Sequence, residues 1–287
     1  MSPKMKNFNV RAITGVLFVA IMVAGLLDPT AMIGLFALIT GLALWEYTGL
    51  VNNIENVCIN RFISTVAGVY LFVAIAGINS GIIQTNAVFV PYLLTVVYLF
   101  ISELYTRNAN AVNDWAYTML GQMYIALPLA CINVLAFRQQ PDGTISFYFL
   151  LPLSVYIFLW VNDTGAYLSG SLLGRHKLFP RISPGKSWEG SIGGGLLVLA
   201  VAALLGWWEN SHECLSGLSV IEWMGLGLVV VFFGTWGDLV ESLFKRTLGI
   251  KDSGSILPGH GGMLDRFDSS LMAIPASVIY IYSLTLL

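Results

Sequence analysis

Nine long apolar runs are the feature that most constrains the fold of this chain of 287 residues. A helix needs about 20 apolar residues to cross the hydrocarbon core of a bilayer. The runs are Val10–Leu27, Ala31–Val51, Phe62–Ser80, Ala87–Ser102, Trp115–Phe137, Ile145–Val161, Gly190–Trp208, Leu218–Gly237 and Ser269–Leu287. Charged residues make up 10% of the chain, whereas soluble domains carry about a quarter. The sequence therefore predicts an all-α polytopic integral membrane protein with about nine transmembrane helices.

The form and orientation of these spans follow from the backbone and from the positive charges. Backbone polar groups in lipid must be satisfied within the segment, which favours helices. With a cytoplasmic N-terminus, thirteen of the fourteen Lys and Arg residues fall on inner segments, and Arg138 alone falls outside. Cytoplasmic loops carry such an excess. The pattern predicts a cytoplasmic N-terminus and a C-terminus on the outer side. We interpret Val10–Leu27 as a retained span rather than a signal peptide, because it is long and no cleavage site follows it.

We therefore interpret residues 1–287 as a single transmembrane domain whose C-terminal part, from about residue 160, carries the polar loops. The three cysteines, Cys58, Cys131 and Cys214, are far apart and form no CxxC pair. This spacing supports neither a zinc site nor a disulfide framework.

Mixed charge and glycine are concentrated between the last two spans, in residues 237–268. Asp238 lies at the inner end of the eighth span, and a continuing helix would place Ser242 and Lys245 on the same face, with Glu241 beside them. Ionisable groups at membrane depth are costly and usually functional. An interfacial helix end with snorkelling side chains would explain the same pattern, so the residues alone leave both interpretations open.

Asp265 and Asp268 are spaced i and i+3 just before the ninth span. Carboxylates there complement a helix dipole, which makes N-capping one interpretation. The other is a hard-cation site, since magnesium prefers one or two carboxylates together with substrate phosphate oxygens. Asp265 and Asp238 would supply such a pair if the eighth and ninth spans pack together at their inner ends, and the two roles are compatible.

Between these acids, a glycine-rich loop contains Lys251-Asp252-Ser253-Gly254 and Pro258-Gly259-His260-Gly261-Gly262. Glycines adopt positive φ and let the backbone approach a ligand, and successive N–H groups in such turns form anion nests. Cationic donors suited to phosphate surround the loop; they are Lys245, Arg246, Lys251 and Arg266. For His260, a structural hydrogen bond and a proton-transfer role remain equally open.

The other long inner loop, predicted at Asn162–Glu189, begins with Asn162 and Asp163 and ends in the sequence PGKSWEG. Pro184-Gly185 predicts a turn, and Lys186-Ser187 leads into a helix predicted to begin near Gly190. A Walker A loop is rejected, because position 180, where that motif needs its first glycine, is a proline. A Gly-Lys-Ser turn at a helix start still suits phosphate binding.

Isolated acids elsewhere are expected not to be catalytic. Glu46, near the inner end of the second span, is expected to reach the membrane interface, and Asp114 bounds a short loop. Glu209 is expected in the outer loop with His212 and Glu213.

The run from Ser242 to Asp268 resembles the signature of phosphatidate cytidylyltransferases, also called CDP-diacylglycerol synthases. It is Ser242-x-Phe244-Lys245-Arg246-x4-Lys251-Asp252-x-Gly254-x2-Leu257-Pro258-x-His260-Gly261-Gly262-x2-Asp265-Arg266-x-Asp268. Three further stretches are similar to that family: Asn162-Asp163-Thr164-x-Ala166-Tyr167, Ser183-Pro184-x-Lys186-x-Trp188-Glu189-Gly190 and Gly237-Asp238-Leu239. The resemblance covers nearly the whole chain. Position 185 is often lysine in relatives and is glycine here.

The resemblance implies that CTP and phosphatidic acid react to give CDP-diacylglycerol and pyrophosphate with Mg²⁺, and that a monovalent cation such as K⁺ is bound nearby. It implies metal ligands at Asp238 and Asp265, with Asp268 close by. Catalytic roles are expected for Asp238, Asp265, Lys251 and His260. Substrate contacts are expected from Asn162, Asp163, Lys186, Ser187, Ser242, Lys245, Arg246 and Arg266. We expect a multi-pass protein of the inner membrane with its site facing the cytoplasm, bound to membrane lipids and not to nucleic acid; a homodimer is left open.

Three other classes remain to be compared with this one. A transporter or channel would have many spans, but its ionisable sites usually lie near the bilayer midplane, often in repeated halves. A polyprenol kinase or an archaeal-type lipid cytidylyltransferase would share CTP chemistry. A purely structural scaffold would leave the residues from Lys251 to Asp268 unexplained.

Overall fold

The computed structural model describes residues 3–106, 110–140, 142–212, 216–256 and 261–284. Most of these residues are helical. The α-helices are α1 (Pro3–Leu26), α2 (Pro29–Val51), α3 (Arg61–Asn79), α4 (Val90–Ser102), α5 (Ala111–Gly121), α6 (Leu127–Ala130), α7 (Ile132–Ala136), α8 (Leu150–Leu173), α9 (Trp188–His212), α10 (Val220–Thr247), α11 (Leu264–Phe267) and α12 (Ser270–Leu284). A 3₁₀ turn, Asn86–Phe89, precedes α4, and a π-helical turn, Gln122–Ala126, joins α5 to α6.

The prediction of a helical polytopic protein is confirmed, since helix occupies most of each predicted apolar run within the described residues; residues 145–149, at the start of the sixth run, are not helical. Six helical segments of the described chain are long and apolar enough to cross a membrane. They are Pro29–Val51, Arg61–Asn79, Ala111–Ala136, Trp188–His212, Val220–Thr247 and Leu264–Leu284. Two apolar helices are shorter, Ile13–Leu26 and Asn86–Ser102. The count of nine spans and the orientation of the termini stay predictions.

Polar caps fix the starts of α2 and α3. The side chain of Asp28 accepts a hydrogen bond of 2.8 Å from the Ala31 amide at the start of α2, where Pro29 occupies the first position. Asn60 caps α3 in the same way, accepting from the Ile63 amide at 3.0 Å. Asp and Asn are preferred caps because they satisfy an amide that has no partner within the helix.

Two short antiparallel hairpins depart from the all-α prediction. Strand β1 (Phe137–Gln139) pairs with β2 (Ile145–Phe147), and β3 (Lys177–Phe179) pairs with β4 (Ser183–Ser187). The predicted turn at Pro184-Gly185 is therefore wrong, because both residues lie within β4. A two-stranded ribbon has only edge strands, and proline is tolerated there. The register of this pair is irregular between Lys177 and Phe179.

Two helices run further than the apolar pattern predicts. Helix α8 continues through Asn162 and Asp163 to Leu173, and α10 continues past Asp238 to Thr247. The inner loops predicted at Asn162–Glu189 and Asp238–Asp268 are correspondingly shorter. Polar side chains lower the apolarity of a helix without ending it, because only a breaker or a C-terminal cap stops the backbone hydrogen bonds.

The chain divides into two compact units. The first contains Met1–Phe149 and Leu248–Phe267, and the second contains Leu150–Thr247 and Asp268–Leu287. In the first unit, Phe267 packs edge-on against Phe18 and Phe36, with ring centroids 6.0 and 6.3 Å apart. In the second unit, α8 and α9 pack closely where a Cβ on Gly165 would lie 2.9 Å from the Cα of Gly194. Small residues allow two helices to approach this closely.

Candidate active site

A polar cavity of about 200 Å³ lies within the second unit. Its walls come from α8, β4, α9 and α10. The residues lining it include four that the sequence predicts to contact substrate, namely Asn162, Asp163, Lys186 and Ser187. The structure therefore brings together two motifs that are separated along the chain. Their roles toward substrate stay a prediction.

An ion pair between Lys186 and Asp238 lies beside this cavity. The ammonium Nζ of Lys186 is 2.6 Å from Oδ2 of Asp238, and the two side chains are 25% and 30% exposed. Nζ also donates a hydrogen bond of 3.4 Å to the Thr235 carbonyl oxygen. The hydroxyl of Ser242 donates to Oδ1 of Asp238 at 3.1 Å, which confirms that Asp238 and Ser242 share one helix face. Charge-assisted bonds of this kind hold both side chains in place.

The hairpin that carries Lys186 is anchored to the start of α9. The carboxylate of Glu189 accepts hydrogen bonds of 3.2 Å from the amides of Arg175 and His176. Nδ1 of His176 lies 2.6 Å from Oε1 of Glu189. These contacts fix the hairpin against the helix. Lys186, in β4, is therefore held between the anchored strand β3 and the start of α9.

Ser187 has a structural role at the first turn of α9. Its hydroxyl oxygen accepts a hydrogen bond of 3.1 Å from the Gly190 amide, and the side chain is buried. This is an N-cap, and the helix begins at Trp188 rather than near Gly190 as predicted.

Asn162 lines the cavity and carries a buried polar side chain. The residue is 5% exposed, and its Oδ1 has no hydrogen-bond partner in the described part of the chain. A Cβ on Gly194 would lie 2.6 Å from this atom, so the glycine is what makes room for it. Buried polar atoms are rarely left unpaired in folded proteins. This oxygen is enclosed at the contact between α8 and α9.

Asp268 adds a further carboxylate to the second unit. Its Oδ1 accepts a hydrogen bond of 2.5 Å from the Ser269 amide, just before α12 begins. The carboxylate also lies within electrostatic range of Asp238, Asp163 and Lys245. This bond joins adjacent residues ahead of the helix and is not an N-cap, which would accept from an amide of the first turn. The same acid lies near two other aspartates.

Lys245 pairs with Glu241, the acid expected beside the helix face of Asp238, Ser242 and Lys245. Glu241 is fully buried, and its Oε2 lies 2.5 Å from Nζ of Lys245 one helical turn away. Arg246, next along the helix, is exposed. A buried carboxylate requires a compensating charge, so part of the charge of Lys245 serves Glu241.

In the first unit, Asp265 ties two parts of the glycine-rich loop together. Its Oδ2 accepts hydrogen bonds of 2.8 Å from the amides of Ser253 and Gly262. Gly261 adopts the positive φ predicted for this loop, at 85°. Asp265 and Asp238 belong to different units, and their pairing around one cation stays a prediction.

Glu46 is the residue that sequence reasoning misjudged. It is 6% exposed, so the expectation that it reaches the interface is wrong. Its Oε2 accepts a hydrogen bond of 2.9 Å from the Leu264 amide and one of 3.3 Å from the Ser253 hydroxyl. Its Oε1 is buried without a partner among the described residues. An acid within an apolar helix, flanked by Trp45 and Tyr47, was the available signal.

The remaining predicted residues of the loop lie on the surface or outside the described chain. Lys251 and Arg266 are exposed, as is Asp252. His260 falls outside the described residues.

Two acids away from the loop, Asp114 and Glu209, are buried and accept structural hydrogen bonds. Asp114 accepts from the Cys58 amide at 2.7 Å, and Glu209 accepts from the Trp223 indole at 2.8 Å.

The donor set of the second unit fits a hard cation completed by a ligand. The described residues contain no group of three or more His, Cys, Asp or Glu side chains arranged to hold a metal ion. Magnesium does not require one, because it uses one or two carboxylates with phosphate oxygens and water. Asp238, with Asp268 in electrostatic range, provides carboxylate oxygens of this type.

The fold and the cavity together define a polytopic helical membrane protein with a site of mixed lysine and aspartate. Residues 9–284 match the model of the cytidylyltransferase family. Phosphatidate cytidylyltransferases of Staphylococcus aureus and Staphylococcus epidermidis are each 32% identical over 268 residues, covering 93% of this chain and 96% of theirs. That of Haemophilus influenzae is 32% identical over 255 residues, covering 84% and 87%. The chain belongs to the cytidylyltransferase family, and the resemblance seen in its motifs is confirmed.

Proposed function

We propose that this protein transfers a cytidylyl group from CTP to phosphatidic acid, giving CDP-diacylglycerol and pyrophosphate, with Mg²⁺. The observation that carries the proposal is the Lys186–Asp238 pair beside a polar cavity in a helical membrane protein. One partner suits a phosphate and the other suits a cation. Relatives that bear the name of this activity align over nearly their whole length.

The reaction is a displacement at phosphorus. A phosphate oxygen of phosphatidic acid attacks the α-phosphorus of CTP in line, and the bond from that phosphorus to the oxygen bridging the β-phosphorus breaks. Pyrophosphate leaves with the bonding electron pair. The nucleophile is already an anion near neutral pH, so no strong general base is required. Catalysis of such transfers depends mainly on positioning and on charge neutralisation.

Basic side chains position the substrates in this proposal. Lys186, Arg246 and Lys251 hold phosphates of CTP and phosphatidic acid. Asn162, whose side chain lines the cavity, is assigned a contact with the nucleotide. The remaining proposed contacts come from Asp163, Ser187, Ser242, Lys245, Arg266 and His260.

Carboxylates hold the divalent ion. We assign this role to Asp238 and Asp265, with Asp268 nearby, and expect a monovalent cation such as K⁺ in the same region. When bound, the divalent ion supplies positive charge against the nucleotide phosphates and the pyrophosphate. The chain's own contribution is to keep Asp238 oriented, through the hydroxyl of Ser242 and the ammonium of Lys186.

The site is proposed to face the cytoplasm in a protein of nine spans in the inner membrane. The excess of Lys and Arg on the inner segments supports this orientation, and CTP is a cytosolic nucleotide. Phosphatidic acid already lies in the bilayer, so a site at the inner surface reaches both substrates. Membrane lipids are therefore the surroundings of the protein and the source of one substrate.

An acceptor comparison tests the proposal. Purified protein in detergent receives labelled CTP and Mg²⁺ with phosphatidic acid, an unsaturated ether-lipid phosphate or a polyprenol, and the lipid product is identified by mass spectrometry. We expect CDP-diacylglycerol from phosphatidic acid, with pyrophosphate in equal amount. Reaction only with the ether lipid or the polyprenol would assign the protein to another CTP-dependent lipid enzyme. Solute uptake into proteoliposomes without nucleotide turnover would favour a transporter.

A further inference from the structure

A second cavity of about 380 Å³ lies in the same unit as an apolar groove between α9 and α10. On α9 it is lined by residues that recur at helical spacing, including Ile192, Leu196 and Leu199. Leu228 and Phe232 face them from α10. Several of these side chains are strongly exposed, Ile192 by 60% and Phe232 by 55%. The groove is thus open along its length and offers almost only hydrocarbon and aromatic surface.

The groove adjoins the polar cavity that contains Lys186. Ser191 and Thr235 line both cavities, so the two spaces share a wall. The ammonium of Lys186 binds the carbonyl oxygen of Thr235 at this junction. A cation suited to phosphate therefore lies at one end of a groove suited to hydrocarbon. That order of polar and apolar surface matches a phospholipid with a bare phosphate head.

Two tryptophans mark the polar end of the groove. Trp188, at the first position of α9, and Trp236 on α10 both line it. The ring of Trp236 packs against Phe179 and Phe232, with centroids 5.5 and 5.9 Å apart. Tryptophan is enriched where a membrane meets water. The groove therefore runs from the level of the head groups toward the hydrocarbon, and from Trp188 to Leu199 it extends about 16 Å at 1.5 Å per residue.

We infer that this groove binds an acyl chain of the phosphatidic acid substrate while its phosphate lies at Lys186. The inference rests on the proposed function and adds the place where the lipid is held. A lipid of the surrounding bilayer would also touch these helices. The groove differs from other lipid-facing surface because it is continuous with the polar cavity. When the phosphate of phosphatidic acid lies at Lys186, the glycerol of the same molecule lies beside Ser191 and Thr235, and its acyl chain continues into the groove.

Filling the groove tests the inference. Ile192→Trp places a large ring inside it, and Leu204→Trp, on the same helix but outside the groove, is the matched control because Leu204 is 64% exposed. Activity is measured with dioleoyl and with water-soluble dihexanoyl phosphatidic acid. For Ile192→Trp we expect a KM for the dioleoyl lipid raised at least fivefold, an unchanged KM for CTP and an unchanged rate with the dihexanoyl lipid. For Leu204→Trp we expect wild-type values.

Equal effects of both tryptophans, or an equal loss with both lipids, would overturn the inference. A labelling measurement separates its failure from failure of the proposed function, because it needs no turnover. Phosphatidic acid with a photoreactive group at the end of one acyl chain is irradiated with the wild-type protein. We expect labelling concentrated in peptides containing residues 192–199 and 228–236, and reduced in Ile192→Trp. Labelling spread evenly over all helices would contradict the assignment even in an active enzyme.

Discussion

The ammonium of Lys186 lies 2.6 Å from a carboxylate oxygen of Asp238, and this pair joins a β-hairpin to the C-terminal part of α10. Each side chain is only about a quarter to a third exposed. Partly buried charges are costly unless they are paired. The pair therefore keeps a cation and an anion side by side in a mostly apolar protein, and under the proposed function a phosphate and a metal ion are their further partners.

Replacing Lys186 tests the cationic half of this pair. Lys186→Met should lower turnover by about a hundredfold or more, because it removes a charge that contacts phosphate and leaves Asp238 without its partner. Pyrophosphate release under saturating CTP measures the effect. Lys177→Met is the control, since Lys177 is exposed on the facing strand of the same hairpin. Equal activity of both variants would show that the charge of Lys186 contributes to membrane orientation only and not to turnover.

Asp265→Asn tests the acid that holds the glycine-rich loop. An amide oxygen still accepts hydrogen bonds from the Ser253 and Gly262 amides, so the fold should survive. The lost negative charge should abolish turnover. Thermal unfolding in detergent and pyrophosphate release are measured on the same preparation. A well-folded variant with full activity would refute Asp265 as a metal ligand.

Glu46→Ala tests the buried anchor of that loop. Removing the carboxylate leaves the Leu264 amide and the Ser253 hydroxyl without their acceptor, which should cost about 2 to 4 kcal/mol of stability. We expect a lower unfolding temperature and reduced activity. Glu55→Ala, on an exposed residue of the same unit, should leave both unchanged. The same small effect in both variants would contradict an anchoring role.

Gly262→Ala tests the close packing around Glu46. A Cβ at this position would lie 2.5 and 2.7 Å from the two carboxylate oxygens, so the loop must shift. Overpacking of this kind costs about 1 to 3 kcal/mol, and activity should fall with stability. Gly34→Ala is the control, because a Cβ there has no atom within 4 Å. If Gly262→Ala changed stability and activity as little as Gly34→Ala does, the loop would not be packed tightly against Glu46.

The sequence predicted the features that depend on local pattern. The apolar runs marked the helices, and the spacing of Asp238 and Ser242 correctly placed both side chains on one face. Local pattern could not show that the buried partner of Ser253 and Leu264 is Glu46, because that contact joins segments far apart along the chain. The β3–β4 hairpin was missed for a different reason: its strands are close along the chain, but Pro184-Gly185 was interpreted as a turn and lies within β4.

The lengths of α8 and α10 show a different limit. Hydropathy reports where apolar side chains stop, and both helices continue past that point through Asn162 and Asp238. This continuation carries functional side chains beyond the apolar part of each helix while keeping them on a rigid backbone. Helical spacing, rather than hydropathy, was the usable signal at Asp238.

A magnesium titration of pyrophosphate release in the wild type and in Asp238→Asn tests the central claim most directly. CTP and phosphatidic acid are held constant, EDTA defines the baseline, and Asp28→Asn is the control because Asn also caps a helix. We predict activity that requires Mg²⁺ in the wild type and in Asp28→Asn, and none above the baseline in a folded Asp238→Asn protein. The same magnesium dependence in all three proteins would contradict the account.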